Sequence, residues 1–86
     1  MRKLAILGAG GHGKVIADTA EVSDWQDIVF FDDILPAHTK VGPWSIEGNT
    51  EAIFSHFKKF DGIIVGIGDN MIRWQKYAAL RDLGAN

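Results

Sequence analysis

Lys3-Leu4-Ala5-Ile6-Leu7-Gly8-Ala9-Gly10-Gly11-His12-Gly13 is the stretch on which the fold turns. Lys3 to Leu7 is a short apolar run ending in glycine, the pattern of a central parallel strand buried on both faces. The residues after it match G-x-G-x-x-G between a strand and a helix. Each glycine has a physical reason to be there. Gly8 permits a tight turn, Gly10 lets backbone approach a ligand without a Cβ, and Gly13 lets the helix pack close to the strand. The helix start then offers unpaired N–H groups and a partial positive charge, which suit an anion such as a diphosphate. A tight turn that serves no ligand is the plainer alternative.

Outward from this turn, the spacing predicts a helix from His12 to about Val22, with Val15, Ile16, Thr19 and Ala20 as its apolar stripe. Asp27 to Phe31 is β-branched and aromatic and predicts a second strand that stops at Asp32-Asp33. Residues 34–48 hold both prolines and no clear period, so an irregular crossover is expected, with room for a short strand near Trp44 to Ile46. Asn49 or Thr50 caps a short helix with Ala52, Ile53 and Phe57 inward and Lys58 and Lys59 in its last turn. Asp61 to Ile67 predicts a third buried strand, broken by Gly68. Asp69 caps a last helix to Leu83, with Ile72, Ala79, Leu80 and Leu83 on one face and Gly84 as its stop. The whole predicts an α/β domain: an open parallel sheet of three main strands plus a short one, right-handed crossovers, and helices on both faces.

The totals limit the function classes. With 86 residues at 47% apolar composition the chain closes one core, so residues 1–86 are read as one domain. A net charge of -2, from 9 Lys and Arg against 11 Asp and Glu, leaves no basic stripe for a nucleic-acid backbone. The absence of cysteine excludes disulfides, thiolate metal sites and a thiol nucleophile, and fits a cytoplasmic protein. The apolar run after Met1-Arg2-Lys3 dies in glycine too soon for a signal peptide, and no run approaches the roughly 20 residues of a membrane span.

Several residues could carry chemistry. His12, in the first helical turn, could reach a phosphate oxygen or simply face solvent. Asp32 and Asp33 stand at the carboxyl end of the second strand, 19 residues after Gly13 in the case of Asp32, where an acid can accept hydrogen bonds from a ribose or base. The third edge loop, Ile67-Gly68-Asp69-Asn70 with Arg73 one turn on, could close the pocket, Arg73 offsetting phosphate charge. Asp69 as a simple helix cap is the competing role. No metal-ligand template is present, His38 beside the two aspartates included, and no catalytic Ser-His-Asp or acid-base carboxylate set is apparent.

Three segments, KLAILGAGGHGKVIAD, IVFFDD and IIVGIGDNMIRWQKYAALRDLGAN, in this order resemble the N-terminal domain of bacterial nucleotide-sugar acetyltransferases. These are the sialic acid O-acetyltransferase (NeuD) and bacillosamine N-acetyltransferase (PglD) proteins, and the resemblance spans almost the whole chain. It implies a Rossmann-like domain that binds a UDP-sugar, a UDP-amino sugar above all, with the diphosphate on Gly11, His12 and Gly13, the uridine near Asp32 and Asp33, and further contacts from Ile67 to Asn70. It also implies a C-terminal left-handed β-helix that binds acetyl-CoA, supplies the catalytic histidine and assembles as a trimer. The hexapeptide repeats of that β-helix are not in this sequence. The expectation is therefore a binding module that holds no cofactor and no catalytic residue of its own, with the gene continuing past Asn86, where Gly84-Ala85-Asn86 leads toward a further strand.

Two other readings stay open. G-x-G-x-x-G with an acid about 20 residues on also describes NAD(P)-binding domains of oxidoreductases, although such sites use two mononucleotide halves and this chain holds little more than one. A regulatory nucleotide-binding module without catalysis is the third.

Overall fold

The computed structural model of the protein describes residues 2–84. Its β1 (Lys3–Leu7), α1 (Gly11–Glu21) and β2 (Asp27–Phe31) form the expected first βαβ unit. Then come β3 (Lys40–Val41), β4 (Trp44–Gly48), α2 (Thr50–His56) running into a single 3-10 turn, β5 (Gly62–Val65) and α3 (Asn70–Asp82). The sheet order is β3-β4-β2-β1-β5, parallel throughout except for β3, which runs antiparallel to β4.

Side chains alternate across the central strands and divide the core in two. Leu4 and Ile6 of β1 point to the α1 side, where they meet Ile28, Phe30, Ile46, Ala17 and Ala20. Ala5 and Leu7 point to the other side, against Phe31, Ile53 of α2 and Leu80 of α3. Helices thus cover both faces, the arrangement that right-handed crossovers demand when one runs from β1 to β2 and the other returns from β4 across β1 to β5.

Four expectations change. The apolar stripe of α1 is rotated: Gly13, Ala17 and Ala20 are its buried residues, while Val15 is 62% exposed and Thr19 lies on the solvent side. The cause is at Gly13, where a Cβ would stand 2.0 Å from the Gly8 carbonyl oxygen, so the helix seats its smallest residues on the sheet. The crossover is also more regular than its sequence suggests. β3 and β4 make a hairpin through Gly42 (φ 61°), and β4 buries Ile46 completely while Trp44 meets Phe30 edge-on at 6.0 Å. The short strand expected near Trp44 to Ile46 is thus present as β4, and β3, a two-residue strand, brings the sheet to five.

The third change concerns β5, which is shorter than expected and half open. Ile64 stands beside Ile6 in register, but α1 lies over β1 and β2, so Ile64 stays 39% exposed. The fourth is on α3. Leu80 is 4% exposed and belongs to the core, whereas Ile72 and Leu83 remain 43% and 46% exposed. Gly84 stops this helix in the left-handed region at φ 91°, its N–H donating to Arg81 O at 2.9 Å. The expected lead from Ala85-Asn86 into a further strand lies outside the described residues.

Candidate functional site

The chain runs from β1 through β2 to β4 on one side and then returns across β1 to β5 on the other, and this reversal of strand order leaves a crevice at the carboxyl ends of β1 and β5 where open α/β sheets bind ligands. A cavity of about 700 Å³ occupies that place, a size suited to a small organic ligand. Its walls come from three loops and one helix face: Leu7, Gly8 and Gly10 to His12 from the first turn, Asp32 to Ile34 after β2, Gly66 to Gly68 after β5, and Ile72, Gln75 and Lys76 of α3.

The first turn is held from behind so that its outer face stays open. Gly8 at φ 110° turns the chain, donates its N–H to Phe31 O at 2.7 Å, and leaves no room for a Cβ, which would meet Ile67 Cγ1 at 2.9 Å and Gly66 O at 3.1 Å. Gly10 caps α1 with no side-chain hydrogen bond, at φ -77°, and a Cβ placed on Gly10 or Gly11 would meet nothing within 4 Å. The N–H groups of Gly11, His12 and Gly13, the first three residues of α1, thus have no partner within the helix. A helix start of this kind is an electropositive cradle for an anion. The His12 ring reaches over the third loop, its Nδ1 lying 3.7 Å from where a Cβ on Gly68 would be.

The acids after β2 are committed to the protein. Asp32 Oδ2 accepts from Ala9 N at 2.9 Å, and Oδ1 accepts from Ile34 N at 2.7 Å and Leu35 N at 3.0 Å. Partial burial pushes this carboxyl up, but the N–H groups of Ala9, Leu35 and Ile34 outweigh it and the charge of Asp33, so Asp32 titrates below the usual carboxylate range. Asp33 Oδ1 accepts from Thr50 N at 2.7 Å, and its Oδ2 accepts from Thr50 Oγ1 at 2.6 Å and Lys76 Nζ at 3.2 Å. Burial again acts upward, and the Thr50 hydroxyl, Thr50 amide and Lys76 ammonium bring Asp33 below its ordinary value.

Of the residues singled out in the sequence, Gly8, Gly10, Gly11, His12, Asp32, Asp33, Ile67 and Gly68 line this cavity. Gly13 is buried behind it as the helix-to-strand contact. Asp69 closes the start of α3, accepting from Ile72 N at 3.0 Å. Asn70 accepts from the Arg73 guanidinium, and both turn to a second groove with Ile63, Ile64, Val65, Trp74 and Tyr77, away from the cavity. The cation on the cavity wall is Lys76 in place of Arg73. The i, i+3, i+4 spacing of Ile72, Gln75 and Lys76 was visible in the sequence, but only the seating of Leu80 says which way that face points. His38, whose backbone N–H donates to Ile46 O at 2.7 Å, sits on the crossover; among the described residues no group of three His, Asp or Glu side chains converges to hold a metal. No described helix is long and apolar enough to cross a membrane.

A family profile described as the PglD N-terminal domain matches residues 3–80. Among solved structures, the acetyltransferase domain of PglB from Neisseria gonorrhoeae in complex with acetyl coenzyme A is 38% identical, with a TM-score of 0.85 over 98% of this chain and 40% of that one. A second structure of the same domain gives 36% identity and a TM-score of 0.83 over 99% of this chain and 42% of that one. The chain therefore spans about two fifths of the length of these solved relatives. No curated protein matches it.

Proposed function

Because the chain belongs to the PglD N-terminal domain family, we propose that it is the module that holds the nucleotide-sugar acceptor of a bacterial sugar acetyltransferase. It is an acetyltransferase-related domain, and the finer reading rests on one observation: the uncapped start of α1 opens its amides into a cavity at the sheet's crevice. A diphosphate set against Gly10 to His12 would find N–H donors and the positive helix end, with nothing to displace but water. The nucleoside would then lie over the carboxyl end of β2, beside Asp32 and Asp33, and the Ile67-Gly68 loop would cover the ligand under His12.

In this reading UDP-sugars, amino sugars in particular, are the ligands, and acetyl-CoA belongs to a further domain, as does the catalytic base. That domain is proposed as a trimeric left-handed β-helix following this one, in a cytoplasmic enzyme. Whether the transfer goes to an amino or a hydroxyl group of the sugar is decided there. The present domain contributes by fixing the acceptor in place, which converts an encounter into an intramolecular step.

Calorimetric or NMR titration with UDP, a UDP-amino sugar and NADH tests the proposal. UDP and its sugar are expected to bind and to shift the amides of Gly10 to Gly13. Binding of NADH without UDP would instead make this a dinucleotide domain, and binding of none by the folded chain would leave a regulatory or scaffold role.

A further inference from the structure

Lys76 lies on the cavity face of α3, one turn after Ile72, and its side chain is 25% exposed. Its ammonium carries three N–H donors. One goes to Asp33 Oδ2 at 3.2 Å and one to Thr50 Oγ1 at 3.1 Å, so the end of β2, the start of α2 and the middle of α3 meet at this nitrogen. Those two bonds fix a side chain that would otherwise be among the most mobile, and the ordering entropy is met before any ligand arrives. The third donor remains for the cavity.

The neighbouring acids are poorly placed to bind a ligand themselves. Asp32 and Asp33 each already accept three protein donors, so few lone pairs are left for ligand N–H or O–H groups. With His12 neutral, the lining side chains carry two formal negative charges and one positive, that of Lys76. A nucleotide entering this cavity presents mostly acceptors, phosphate oxygens and base carbonyls, and Lys76 is the one cationic donor on the wall to meet them.

We propose that Lys76 is a specificity-determining residue of this pocket, held by Asp33 and Thr50 so that its ammonium donates to an oxygen acceptor of the bound nucleotide. The inference rests on the nucleotide reading above. The acceptor is a base carbonyl or a phosphate oxygen, two positions of one ligand that share the same chemistry.

The test compares Lys76→Met and Lys76→Arg with the unaltered chain for binding of uridine, UMP and UDP, with thermal melting measured alongside. Lys76→Met is expected to weaken UDP binding by about tenfold or more, as loss of a charge-assisted hydrogen bond does, and Lys76→Arg to recover part of it. A loss already present with uridine assigns the contact to the base, and one that appears only with UMP or UDP assigns it to phosphate; both support the proposal. If all three ligands bind Lys76→Met within twofold of the unaltered chain while melting falls, Lys76 is only a tie between helices and the proposal is overturned. If the unaltered chain binds none of them, the nucleotide reading itself fails and this inference with it.

Discussion

Two strand-glycine-helix turns lie side by side on the carboxyl edge of the sheet, one from β1 into α1 and one from β5 into α3. Read as sequence they look alike, with glycines at 8, 10, 11 and 13 in one and at 66 and 68 in the other. At their helix starts they are opposites. Asp69 places its own carboxylate on the Ile72 amide, so α3 begins with its anion built in. Gly10 has no side chain to do this, so α1 begins open. A helix end becomes a ligand site only where the protein declines to cap it.

The largest expected effect comes from Gly13→Ala. Its Cβ would stand 2.0 Å from the Gly8 carbonyl oxygen, a backbone clash that no rotamer relieves. The loss should reach about 3 kcal/mol or more, enough to threaten a domain this small, and chemical denaturation would measure it. A cooperative melt near that of the unaltered chain would mean that α1 can lift off the sheet, and the close approach would then not be what sets its rotation.

Exchanging the caps probes the contrast between the two turns directly. Gly10→Asp gives α1 the anion that α3 already has; φ at -77° and the open space around the position accept the side chain. UDP affinity should fall about 100-fold through competition and repulsion, while the melting temperature holds or rises slightly. Unchanged UDP affinity would move the diphosphate away from α1.

Acid should act next, through Asp32 and Asp33. Both titrate below the ordinary carboxylate value in the folded chain, so the stability they give is present above the unfolded pKa of about 4 and is lost as pH falls below it. In Asp32→Asn a donor must face either Ala9 N or the amides of Ile34 and Leu35, which should cost roughly 1 to 2 kcal/mol near neutral pH and flatten the acid limb of the melting curve. An acid limb equally steep in this variant would assign the pH dependence elsewhere. Weaker UDP binding is expected too, because the Ala9 amide that Asp32 holds is part of the loop.

The smallest effect belongs to Asp69→Ala, the reverse of the cap exchange. It should cost about 1 kcal/mol of stability and leave UDP affinity within twofold. A large loss of binding would show that Asp69 does more than cap.

The βαβ start, a cap at Asn49 or Thr50, the cap at Asp69, the stop at Gly84 and the loops that meet at the crevice could all be read from the residues alone, while the choice of Asn49 over Thr50 came from the structure. These are set by residues a few positions apart: an apolar run, a glycine, a side-chain oxygen three residues before an amide. A short strand near Trp44 to Ile46 was legible in the sequence too, but not its hairpin with β3 or its run to Gly48, because Trp44-Ser45-Ile46-Glu47-Gly48 has only two large apolar residues and is completed as a strand by pairing with β2 and β3. The sequence did not turn α1 the right way either, since Val15 and Thr19 fit a helical stripe as well as Ala17 does and only the Gly13-Gly8 contact chooses between them. The same holds at the candidate site. That Asp32 clamps Ala9 and that Lys76, not Arg73, stands on the cavity wall depend on groups 23 and 43 residues from their partners. Hydrogen bonds of that span are decided by how the elements pack, and no local pattern encodes them.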